Sequence, residues 1–217
     1  GVGSAYVEQP LYGIPTYKVN EFICNGLGGQ YFTGLQDLIV VSMGTGTSLV
    51  EVNGDNIYHT GGIGIGGGTI TGLSSLLLKT QDIYQIMDLA SRGNLDNIDL
   101  KIRDISKRPL PGLPLSATAS NFGKVQNAVS EEDIAIGIIN MVLQTIGKSA
   151  ILSSLKSSIN NFVMIGNLAK FPQSKEIFHS LEMMFNVRII IPELAEYGTA
   201  IGAALTEERH MEMVRIL

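Results

Sequence analysis

The chain has 217 residues, with 20 acidic against 15 basic side chains, a formal charge of -5 and a pI near 5.2, a balance that argues against recognising nucleic acid through a basic surface. Apolar residues make up 45%, charged residues 16%, and mean hydropathy is +0.23, which describes a domain with a large core and excludes a disordered segment. A lone cysteine, Cys24, supports neither an internal disulfide nor a multi-thiolate metal site, so the chain fits a reducing compartment and a cytoplasmic protein.

Residues 17–32 read as a helix carrying Glu21 and Cys24, weakened in its second half by Gly26, Gly28 and Gly29. Residues 38–43 are a short apolar run ending at Gly44, the pattern of a strand buried on both faces. Residues 48–52 and 57–60 flank Asn53-Gly54-Asp55-Asn56, a strong hairpin signal. After a second glycine-rich loop at 61–68, a helix is expected over 69–78 and another, opened by Thr80 and Asp82, to about Ser91, with Gly93 as its stop. Residues 105–123 contain Pro109, Pro111 and Pro114 and read as a long ordered loop or a lobe boundary. Ser130 followed by Glu131, Glu132 and Asp133 starts a helix that runs past Met141 into Leu143. Its apolar stretch, 134–143, is interrupted by Gly137 and Asn140 and reads as a buried helix; no run approaches the roughly 20 apolar residues of a membrane span. Residues 162–165 repeat the strand ending in glycine, at Gly166, followed by a helix over 174–185, a strand over 187–191 and a last helix over 199–209. Buried strands that end in glycine and hand over to helices predict an α/β fold with ligands at the strand carboxyl ends.

Gly44-Thr45-Gly46-Thr47-Ser48 joins two strands, so its amides and hydroxyls can converge on an anion such as phosphate; a tight turn with incidental hydroxyls is the alternative. The run from Gly61 to Thr69, containing Gly66-Gly67-Gly68, precedes a helix, whose free N-terminal amides would form a second phosphate or substrate wall. It follows a hairpin strand, which fits a dinucleotide fingerprint poorly. Glu21 could act as a general base or be a solvated helix residue. Cys24 reads as a small core residue, since His59, His179 and His210 stand in no recognisable relation to it.

Together these segments resemble type II pantothenate kinases of the acetate and sugar kinase, heat-shock ATPase and actin superfamily, over Gly1 to about Leu205. The resemblance is carried by Ser42 through Ser48, Gly61 through Gly72, Ala90-Ser91-Arg92-Gly93 with Asp99 through Ile105, Ala119-Ser120-Asn121-Phe122-Gly123, Ile165-Gly166-Asn167 and Glu196 through Ala203. It implies an actin-like ATPase fold, ribonuclease H-like in its core. Residues 1–37 would be a remnant of the N-terminal lobe with the catalytic helix, and residues 38–217 the C-terminal lobe. Gly1-Val2-Gly3-Ser4 looks like the family's turn before that helix, and Glu21-Phe22 aligns with the catalytic glutamate and its apolar neighbour. The resemblance further implies ATP and Mg2+ as cofactors. Gly44, Thr45, Gly46, Thr47, Ser48, Gly66, Gly67, Gly68, Gly166, Asn167 and Gly198 would flank the nucleotide, and Thr47, Ser48 and His59 would face pantothenate. A homodimer is not read from the residues but implied by the resemblance, and it is expected here with no nucleic acid and no membrane as partners.

Two departures stand out. His59 occupies a position where the family commonly has an arginine that clamps the substrate carboxylate; histidine lacks the planar two-donor fork and carries less charge near neutrality. The superfamily's acidic first phosphate loop has no counterpart, so the expected fold lacks the N-terminal strands of the first lobe and the chain alone should turn over little. The alternatives are a nucleotide-sensing domain of the same fold, or an activator ATPase of an acyl-CoA dehydratase or reductase; one cysteine is too few for the latter family's iron–sulfur cluster.

Overall fold

The computed structural model describes Tyr6 and residues 10–108, 112–125 and 129–215, with the side chains of the last helix as far as Thr206. The turn at Gly1-Val2-Gly3-Ser4, two of the three prolines of the central loop, Pro109 and Pro111, and the His210 side chain lie outside the described residues.

The centre is a five-stranded sheet of order β3-β2-β1-β6-β7, built from β1 (Asp37–Met43), β2 (Thr47–Asn53), β3 (Asn56–Ile63), β6 (Asn161–Ile165) and β7 (Arg188–Ile190). β1 runs antiparallel to β2, β2 antiparallel to β3, and β1, β6 and β7 are mutually parallel. The unbroken apolar run of β1 is explained by its central place: Leu38 and Val40 enter one core, Ile39, Val41 and Met43 the other. Each such side chain contributes roughly 1.5–3 kcal/mol by leaving water.

On one face lie α1 (Glu21–Thr33) and α7 (Gly198–Arg215); on the other lie α2 (Gly67–Leu78), α3 (Ile83–Arg92), α5 (Glu131–Ser153) and α6 (Pro172–Phe185). A small ribbon of β4 (Leu100–Lys101) and β5 (Thr118–Ser120), with the single-turn α4 (Ile102–Ile105) after β4, occupies part of the stretch expected to be only a loop. Its strands are too short for a period-2 pattern to show.

α1 starts four residues later than expected because Asn20 caps it, its Oδ1 accepting from the Phe22 and Ile23 amides at 2.9 and 3.2 Å. Its glycines do not fray it. They are buried where α1 crosses α7 and the sheet: a Cβ on Gly28 would sit 2.1 Å from the Gly198 carbonyl oxygen, and one on Gly202 would sit 1.8 Å from that of Cys24. Tertiary contact thus overrides the poor helix propensity of glycine.

α5 continues ten residues beyond the expected end, to Ser153. With its 3-10 extension to Lys156 it is long and apolar enough to cross a bilayer, yet 67% of that window is buried inside the fold, where it is the core helix packed on α2, α3 and α6. α6 begins two residues early because Pro172 suits a first helical position.

Candidate active site at the sheet switch point

β1 hands over leftward to β2 and β6 rightward to β7, so the carboxyl ends of the adjacent parallel strands β1 and β6 form a topological switch point, where α/β sheets open a crevice. Both glycine-terminated strands end there, with Ser42 paired to Ile165. Gly166 adopts φ +94°, and a Cβ on it would lie 2.5 Å from the Met43 carbonyl oxygen, so only glycine lets the two chains diverge so closely. Asn167 follows, exposed, at the start of a 3-10 turn (Asn167–Lys170).

The loop of residues 44–46 is a tight hairpin connection closed by the Gly44 amide donating to the Gly46 carbonyl at 2.9 Å. The amides of Thr45, Gly46 and Asn167 donate to no backbone carbonyl among the described residues. These three amides lie on the segments that border the switch point, and donors left without a carbonyl suit an anion. The expected free amides at the start of α2 are a correction: Gly67 donates to the Gly44 carbonyl at 2.8 Å and Gly68 to that of Thr45 at 2.9 Å. Gly66-Gly67-Gly68 thus braces the first glycine loop from behind. Thr47 is buried and donates its hydroxyl to the Ile65 carbonyl at 2.8 Å, tying the two loops again, while Ser48 is half-buried opposite Gly62 on β3.

β3 carries a bulge at Thr60, because Val50 pairs with His59 while Leu49 pairs with Gly61. The extra residue reverses the alternation, so Ile57 and His59 face α1 while Ile63 packs into the opposite core. The His59 ring stacks on Phe22 with centroids 3.8 Å apart and planes 10° from parallel. Neither ring nitrogen has a hydrogen-bond partner among the described residues. Glu21, half-buried in the first turn of α1, immediately precedes the Phe22 of this stack. Gly198, by contrast, is buried at the start of α7 against Gly28 and Ile165.

Cys24 is 1% exposed and lies 3.8 Å from the Thr206 hydroxyl; burial pushes its thiol above the usual range. It is a packing residue.

Beside the carboxyl ends of β6 and β7 is a cavity of about 770 Å3 between the 169–175 and 191–196 segments. Lys170 and Glu196, 3.0 Å apart, pair across it, and hydrogen bonding to Glu196 raises the Lys170 pKa. Sequence reasoning gave these two residues no role, although Lys170 lies four positions after Gly166 at the end of β6 and Glu196 two positions before Gly198 at the start of α7.

Residues 30–187 match the Fumble family. The chain is 36% identical over 174 residues to the type II pantothenate kinase of Staphylococcus aureus strain USA300, the alignment covering 76% of this chain and 65% of that protein, and equally similar to the enzyme of strain MSSA476. It therefore spans about two thirds of the length of these relatives. Among solved structures, an activator of the 2-hydroxyisocaproyl-CoA dehydratase from Clostridium difficile with bound ADPNP superposes with a TM-score of 0.59 at 14% identity, over 95% of this chain and 72% of that one. That likeness establishes the actin-like ATPase fold, and with the match over residues 30–187 the chain belongs to the Fumble family.

Proposed function

We propose that the chain is the larger part of an ATP-dependent pantothenate kinase, which transfers the terminal phosphoryl of ATP to the primary hydroxyl of pantothenate in the first step of coenzyme A synthesis. The observation that carries this reading is the braced glycine loop at the β1–β6 switch point, where the amides of Thr45, Gly46 and Asn167 have no backbone carbonyl partner among the described residues. The family match and the identity to type II pantothenate kinases support it.

Phosphoryl transfer asks the protein mainly for alignment and for donors where charge develops. The amides of Thr45 and Gly46 take the phosphate oxygens, and Gly166 and Asn167 with the adjoining cavity border the nucleoside, while buried Gly198 serves to seat α7 against Gly28 and Ile165. Glu21 orients or deprotonates the acceptor hydroxyl. Ser48 and His59 contact the acceptor; the Thr47 hydroxyl, already donating to Ile65, offers only its lone pairs. When bound, magnesium would neutralise charge on the phosphates; among the described residues no group of three His, Cys, Asp or Glu side chains forms a dedicated cage for it. In this reading residues 1–37 bring the catalytic helix to the lobe formed by residues 38–217, and the protein works in the cytoplasm as a homodimer. Buried Cys24 gives no support to the activator alternative, whose cluster needs accessible thiolates.

The test is mass-spectrometric detection of phosphopantothenate after incubating the protein, as its gene encodes it, with magnesium ATP and pantothenate. Product should fall by about 100-fold or more in Glu21→Ala, the scale of a lost acid–base group, with nucleotide binding retained. Nucleotide binding without product would replace this reading by a sensor; product unaffected by the substitution would remove Glu21 from its role.

A further inference from the structure

A buried carboxylate with no cation against it lies under the β4–β5 ribbon. Asp99 is 0% exposed and accepts four hydrogen bonds: from Asn140 Nδ2 at 2.7 Å, the Phe122 amide at 2.9 Å, Thr118 Oγ1 at 3.3 Å and Asn121 Nδ2 at 3.4 Å. No ion pair involves it among the described residues. Neutral donors alone are a weak answer to a desolvated charge.

The hydrogen bonds continue outward along one stripe of α5, at positions 140, 144 and 148. Gln144 Nε2 donates to Asn140 Oδ1 at 3.0 Å and to Thr118 Oγ1 at 3.3 Å, and Lys148 Nζ donates to Gln144 Oε1 at 2.9 Å. Lys148 is half-buried, makes no salt bridge among the described residues, and has its pKa lowered by burial. Every proton in this chain points from the ammonium toward the carboxylate. An ammonium has donors only, so it forces the Gln144 oxygen toward itself and the Gln144 NH2 toward Asn140 and Thr118. Those residues must then present oxygens to Gln144, which leaves the Asn140 NH2 and the Thr118 proton for Asp99. Aligned dipoles of this kind strengthen one another in a low-dielectric interior.

We propose that Lys148 is a remote positioning residue: acting through Gln144, Asn140 and Thr118, its charge fixes the hydrogen-bonded arrangement by which Asp99 holds the 118–122 turn. That turn adjoins a cavity of about 1100 Å3 between α3, α5, α6 and residues 112–118, and Thr118, Asn140 and Gln144 line it. Lys148 therefore presets the donors and acceptors on the cavity's polar wall. This inference is independent of the reaction proposed above.

Amide hydrogen exchange on the intact protein, comparing wild type, Lys148→Met and Lys148→Arg, tests it. Methionine keeps the aliphatic stem and removes the charge; arginine keeps the charge and the donors. In the methionine variant, exchange at Phe122 and its neighbours in the turn should rise about tenfold or more, equivalent to about 1.4 kcal/mol of local opening, while the α5 and β6 amides keep their protection. Arginine should restore the turn. Unchanged exchange at Phe122 overturns the proposal. So does a uniform rise through α5 and β6, which marks ordinary helix destabilisation, or failure of arginine to rescue, which removes the charge as the agent.

Discussion

Alanine at Gly28 tests the crossing that holds the proposed catalytic helix. The added Cβ would lie 2.1 Å from the Gly198 carbonyl oxygen, 2.8 Å from its carbonyl carbon and 3.3 Å from its Cα. All three obstacles are backbone, so no rotamer relieves them, and Gly198 is itself seated against the Ile165 side chain, with only 3.0 Å of room for a Cβ. Restoring an ordinary carbon–oxygen contact of about 3.3 Å requires α1 and α7 to part by about 1 Å. Overpacking costs about 1–3 kcal/mol, and a rigid backbone obstacle belongs at the upper end; the gain in helix propensity from glycine to alanine returns about 1 kcal/mol. The net expectation is a loss of about 2 kcal/mol in urea-induced unfolding. Since α1 carries Glu21 and Phe22, a shift of that size should also reduce turnover by about 100-fold. Gly72→Ala on the exposed side of α2 is the control: its Cβ meets nothing within 4 Å, and it should stabilise by about 0.8–1 kcal/mol. A Gly28→Ala protein as stable as wild type, with the control behaving as expected, would refute the close crossing.

Gly66→Ala would put a Cβ 2.6 Å from the Thr45 carbonyl oxygen and 2.8 Å from Gly46, pushing the two glycine loops apart. Nucleotide affinity by calorimetry should fall about tenfold relative to Gly64→Ala, whose Cβ meets nothing within 4 Å, because charge-assisted contacts worth about 1.5–3 kcal/mol are displaced; equal affinities would contradict the role of the brace. At Asp133, burial alone would raise the carboxyl pKa, but donors from Asn94, Asn97 and Ser130 outweigh it and hold the value low. A depressed carboxylate stabilises the fold above its unfolded value of about 3.9 and loses that contribution as pH falls through the folded value. Asp133→Asn should therefore flatten the acid limb of the stability profile while costing about 1.5–3 kcal/mol near neutrality; an unchanged acid limb would remove Asp133 from the acid response.

What could be read in the sequence follows the range of the forces involved. Strand β1, the Asn53-Gly54 hairpin and the Ser130-Glu131 helix start were legible because burial on two faces, positive φ and capping each leave a signature within a few residues, whereas the Asn20 cap of α1 was overlooked and that helix was expected from residue 17. The glycines of α1 misled for the opposite reason: locally they weaken a helix, and their use lies in close approach to Ile57, Gly198 and Val40, outside the helix. The same distance hid the role of the second glycine run. Its position before a helix promised free amides, whereas the first run supplies carbonyls that consume them. In the proposed anion site the two runs act together, the second holding the first in place through the Gly67 and Gly68 amides. The bulge at Thr60 works similarly, since one unpaired residue on β3 decides which face His59 occupies and sets its ring on Phe22 beside Glu21. The chemistry-bearing side chains sit on local signals, but their alignment depends on contacts that pair residues about 20 or more positions apart, and these are the contacts that the glycine substitutions disturb.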